Sequence, residues 1–154
     1  MSEQTSMKKT ISARSARNLA GLFNWGNIAA ILPGLIAVLW VGVENTDRMA
    51  IIVMFIMMVV PNILWFAASI VIYTIARHHP NERVGHYTQQ AAYRYYAIVG
   101  LIVVAGTFYG TNVKLWLITW VITALIMVPW SIIDFIRIRK ETWQETIIEI
   151  EAHN

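Results

Sequence analysis

The chain has 154 residues, about one domain's worth, of which 57% are hydrophobic and only 14% charged. Its mean hydropathy is +0.53, whereas a soluble domain carries about 25% charge. That balance excludes disorder, coiled coil, collagen and a secreted disulfide scaffold, and the absence of cysteine excludes disulfides and thiolate chemistry.

Residues 1–24 form a basic tail. Met7, Ile11, Leu19 and Leu22 fall on one face at helical spacing, with Lys8, Lys9, Arg14 and Arg17 elsewhere. Such a stretch is expected to lie as an amphipathic helix on an anionic leaflet, contacting lipid through those four cations. The first hydrophobic span is expected over about 25–43, close to the roughly 20 residues that cross a hydrocarbon core. Gly26, Ala30 and Gly34 recur every fourth position in it, a pattern that lets helices approach closely in lipid. Asn24 and Asn27 are placed at its cytoplasmic edge. Glu44-Asn45-Thr46-Asp47-Arg48 then makes a short polar turn.

The second span is expected over 49–75, with Pro61 near its middle, where the missing backbone N–H loosens a helix. Asn62, Ser69 and Tyr73 give it a polar face, while Trp65 reads as a packing residue. The linker over 76–90 is polar and ends in an amphipathic stripe of Val84, Tyr87, Ala91 and Tyr95 that runs into span three. It also carries His78, His79, Glu82 and His86. If helical, three of these stand at i, i+4 and i+8, a spacing that lets side chains share a metal. Pro80 and Gly85 oppose a continuous helix there. The first reading is therefore a cap near Glu82 or a head-group contact, and a metal or pH-sensing site is the alternative.

The third span, about 91–109, is the least apolar, and Arg94 near its start is expected to snorkel to the interface. Gly110-Thr111-Asn112 turns the chain into the fourth span, 113–133. There Thr119, Thr123, Trp130 and Asp134 share a face, with Asp134 expected to pair with Arg137 or Arg77. These residues and the polar face of span two read first as interhelical hydrogen-bond glue, and second as the lining of a narrow polar path. Residues 134–154 are expected to continue as a cytoplasmic helix with Ile136, Trp143, Ile147 and Ile150 on one stripe and Glu141, Glu145, Glu149 and Glu151 on others.

Together these elements predict an all-α integral membrane protein of four transmembrane helices in two antiparallel hairpins, with cytoplasmic amphipathic extensions. Nine of the twelve Lys and Arg lie in the tails and the central linker and a tenth, Arg94, flanks that linker, with only Arg48 and Lys114 on the other side. The positive-inside rule then puts both termini in the cytoplasm, and a bacterial inner membrane is the expected setting. The pI of about 9.4 is accounted for by this topology, so no nucleic-acid partner is implied.

The spans hold almost no ionisable group, against the habit of pumps and proton-coupled transporters. No histidine lies in a span to hold a haem. No phosphate loop, HExxH, GxSxG or carboxylate pair is present, so no catalytic residue and no cofactor is assigned. The functional expectation is a non-catalytic subunit or scaffold of a larger membrane assembly, with a protein partner or a second copy docked on its helix faces. The alternative is a small homo-oligomeric channel or transporter with a polar path between spans two and four.

Overall fold

The computed structural model describes residues 6–42, 47–110 and 112–151. Four helices carry the fold: α1 (Ala13–Val41), α2 (Arg48–Arg77), α3 (Glu82–Tyr109) and α4 (Val113–Lys140). At 28 to 30 residues each, they are long and apolar enough to cross a membrane. Two strands, β1 (Ser6–Ile11) and β2 (Thr146–Glu151), pair antiparallel as a ribbon that joins the two tails.

Local chemistry sets where the helices begin. Ser12, Asp47, Asn81 and Asn112 are the four N-caps, each accepting a backbone N–H from the first turn. Gly42 and Gly110 end α1 and α3 with φ of 77° and 52°, which favour glycine. Both α1 and α3 begin earlier than hydropathy alone suggests. Their polar first turns stay helical because those turns pack against each other.

Packing runs in three layers, with α1 present in all of them. At the ribbon end, Ala16 and Ala20 meet Ala76, Val84, Tyr87 and Ile138, with Leu19 and Trp143 alongside. In the middle, Phe23 and Ile31 meet Ala91, Ala92, Tyr95, Ala124 and Met127. At the far end, Ala37, Val38 and Val41 meet Met54, Met58, Leu117 and Trp120. The far layer contains no buried α3 residue, and a laterally open cleft of about 510 Å³ separates α2 from α3 there. Every helix turns large side chains outward, among them Leu39, Leu64, Phe108 and Leu125.

The tails correct two expectations. The N-terminal stripe is not one helix, since residues 6–11 are strand and the helix starts at Ala13. The helix after span four stops at Lys140, and residues 146–151 are strand rather than helix. The cause is composition: Thr146, Ile147, Ile148 and Ile150 are β-branched, which suits a pleated ribbon. Register places Lys8 opposite Glu149 and Thr10 opposite Ile147.

A lone two-stranded ribbon is marginal in water, so this one needs the bundle. Trp143 anchors its approach by donating its indole N–H to the Ile138 carbonyl at 2.8 Å. The Asn81 amide reaches the Thr146 hydroxyl at 3.5 Å.

Candidate functional site

The polar side chains gather in the ribbon-side half of the bundle. Asp134 of α4 is fully buried and forms an ion pair with Arg94 of α3. The Arg94 Nε also donates to the Gln90 carbonyl at 3.0 Å, and its guanidinium stands 5.2 Å from the Trp130 ring centre. Arg94 therefore does not simply snorkel outward: its charge is neutralised inside the bundle. Arg137 is a second, longer partner of Asp134 at 3.9 Å. Arg77 is not a partner; its guanidinium bonds Tyr73 instead.

One layer deeper, Asn27 is buried between three helices. Its Nδ2 donates to the Ala91 carbonyl at 3.4 Å, and its Oδ1 accepts from the Trp65 indole at 2.9 Å. A turn closer to the ribbon, the Asn24 amide and the Thr88 hydroxyl are buried with no hydrogen-bond partner among the described residues. Both asparagines, expected at the cytoplasmic edge of span one, are buried in the bundle. The start of α3 covers that end of α1.

The small-residue stripe of α1 does not seat another backbone. A Cβ on Gly26 would stand 2.0 Å from the Trp65 ring, and one on Gly34 2.6 Å from Trp120. Between them, Asn62 Nδ2 donates to the Ala30 carbonyl at 2.8 Å and to the Met58 carbonyl at 2.9 Å. Both carbonyls lie one turn before a proline, Pro33 in α1 and Pro61 in α2. Asn62 thus bonds the carbonyls next to those of Ala29 and Met57, which the prolines leave without a helical donor. Pro33, beside Gly34 in the sequence, gives the same signal as Pro61.

Of the remaining polar-path candidates, all but Thr123 have internal partners among the described residues. Ser69 bonds the Phe66 carbonyl at 2.8 Å and lies 3.0 Å from the Tyr96 hydroxyl. Thr119 donates to the Tyr109 hydroxyl at 3.0 Å. Thr123 is buried near Ala124, and Trp130 is half-exposed over Arg94. Phe23, Trp65, Tyr95 and Tyr96 fill the space between with edge-on ring contacts of 5.2 to 6.4 Å.

The histidine run is dispersed. His78 ends α2, and the His79 ring accepts the Asn81 backbone N–H at 3.1 Å. His86 sits within α3 and pairs with Gln90 at 3.0 Å. Glu82 opens α3, where a carboxylate suits the helix dipole. No group of three metal-ligand side chains converges among the described residues.

Glu141 has a role the acidic stripe did not suggest. It accepts the Tyr87 hydroxyl at 2.6 Å and pairs with Arg83, which also reaches the Thr142 carbonyl at 2.8 Å. Burial pushes the Tyr87 phenol up to about 12, and the bond to Glu141 adds to the rise. The phenol therefore stays a donor at any physiological pH.

The fold and this layer define a four-helix chain whose ribbon-side half is held by polar contacts and whose far half rests on apolar packing. Comparison with protein-family models, with curated proteins and with solved structures finds no match.

Proposed function

We propose that this chain is an integral membrane protein that crosses the bilayer four times and serves as a non-catalytic subunit or scaffold of a larger membrane assembly. Its outward faces are apolar on all four helices, a surface that a soluble monomer rarely exposes over such an area. The tails and the connection between α2 and α3 share the end that carries ten of the twelve basic residues. That charge bias supports a cytoplasmic location for this end.

One contrast carries the functional reading. Several polar side chains of the spans turn inward, to backbone carbonyls of their own or neighbouring helices or to one another, while α2 and α3 leave an open apolar cleft on the flank. Groups arranged in that way support packing and docking, with lateral contact as the use of the free surface. A polar path between α2 and α4 gains no such support, since Asn62 turns to α1 and α2 carbonyls and Thr119 to Tyr109.

The test is purification from native membranes in mild detergent. A larger partner should co-purify at fixed stoichiometry. Recovery of a pure monomer or homo-oligomer overturns the proposal. Ion flux through reconstituted vesicles that Asn62→Ala or Thr123→Val alters would favour the channel reading instead.

A further inference from the structure

The cations of the ribbon end are not equivalent. Arg83 and Arg94 are held by Glu141 and Asp134. Arg17 of α1 and Arg139 of α4 have no ion pair or hydrogen bond among the described residues, and both are exposed. They stand on the two lips of a single groove of about 500 Å³, lined also by Asn18, Gly21, Trp25 and Phe135.

The groove is graded along its length. At the ribbon end it offers two guanidinium groups and the Asn18 amide. Towards the bilayer it becomes aromatic: the Trp25 and Phe135 rings lie 4.8 Å apart, and Trp25 is 58% exposed. Gly21 keeps the floor open, because a Cβ there would stand 3.1 Å from the Phe135 ring. No carboxylate lines the groove.

We propose that this α1–α4 groove is a binding site for one anionic phospholipid, its phosphate held between Arg17 and Arg139 and the start of an acyl chain lying over Trp25 and Phe135. Guanidinium forks match phosphate oxygens, and basic pockets between helices on the cytoplasmic side are where anionic head groups bind. A soluble anion would use only the polar half of the lining. A zwitterionic lipid would set its own cation against two others. The site rests on the membrane-spanning reading above, and it is distinct from a general attraction of basic tails to the leaflet, because it needs these two arginines together.

The full chain is reconstituted into nanodiscs and the retained lipid is counted by native mass spectrometry. Discs of mixed phosphatidylglycerol and phosphatidylcholine should yield one phosphatidylglycerol bound in preference. The double variant Arg17→Gln/Arg139→Gln should weaken that retention about thirtyfold, from two lost contacts of ordinary surface strength. The double variant Arg14→Gln/Lys140→Gln removes the same charge beside the groove and should leave retention within about twofold.

Equal loss in both variants overturns the proposal in favour of diffuse attraction, as does equal retention of phosphatidylcholine. Displacement of the lipid by millimolar inorganic phosphate overturns it in favour of a site for soluble anions. A chain that washes off vesicles in alkaline carbonate fails at the earlier step and overturns the membrane reading itself. Circular dichroism of each variant separates lost binding from lost folding.

Discussion

Three glycines of the spans lie beneath tryptophan rings: Gly26 under Trp65, Gly34 under Trp120 and Gly106 under Trp116. The four-residue spacing in α1 was visible in the sequence. What occupied it was not, because spacing says that room exists and nothing about which side chain fills it. An indole buries far more area than a backbone contact, so these sites should resist even a methyl group. Gly26→Ala should destabilise the bundle by about 1–3 kcal/mol, the usual cost of overpacking, read as thermal unfolding in detergent. Gly100 meets nothing within 4 Å, so Gly100→Ala should be neutral or slightly stabilising in the same assay. Equal effects from the two would show that the rings do not fix the helices. Asn62 is the second residue of this kind. Asn62→Leu leaves the Ala30 and Met58 carbonyls without their side-chain donor and should cost about 0.6–1.7 kcal/mol by the same measurement.

Between elements, Arg94 and Asp134 pair α3 with α4. Removing one partner of a buried pair leaves a charge without compensation. Asp134→Leu should therefore destabilise by about 3–5 kcal/mol, and Arg94→Leu in that background should recover most of the loss. A double variant as unstable as the sum of the singles would show that the two charges act separately.

The sequence located α2 and α4 almost from their first residues, since Arg48 and Val113 follow short polar turns. Hydropathy alone starts α1 and α3 too late, because it marks where a bilayer is tolerated and caps mark where a helix begins; the stripe from Val84 and the cap expected near Glu82 do give the observed start of α3. Ser12 and Asn81 were the signals for those starts. Arg94 and Asp134 each stand out in the sequence, but 40 residues of separation hide their pairing. The ribbon was hidden for the same reason: its strands are brought together by the whole bundle, and isoleucines at 147 and 150 fit a helical stripe as well as a strand.

The ribbon's dependence on the bundle is itself testable. Trp143→Ala removes the bond to Ile138 and the packing against Tyr87, so amide exchange over 146–151 should accelerate while that of α4 holds. Unchanged exchange would mean that the strands stand alone.

For the whole molecule, geometry and charge make one arrangement. Register pairing brings the two tails together, and Asn81, Arg83 and Tyr87 tie them to the connection between α2 and α3. Arg48 and Lys114 stand at the opposite ends of their helices, one bundle length away. Helices of 28 residues span about 42 Å, enough to separate these ends across a hydrocarbon core of about 30 Å.

The absence of cysteine makes the arrangement directly readable, because any introduced thiol is unique. Lys140→Cys lies at the exposed end of α4 beside the ribbon, and Arg48→Cys at the first turn of α2. In intact spheroplasts, a membrane-impermeant maleimide should label Arg48→Cys and spare Lys140→Cys. After the membrane is opened it should label both. Labelling of Lys140→Cys alone in intact cells would reverse the orientation while keeping the fold. Labelling of both before lysis would place the two ends on one side of the bilayer, and four crossings would then be the wrong topology for these helices.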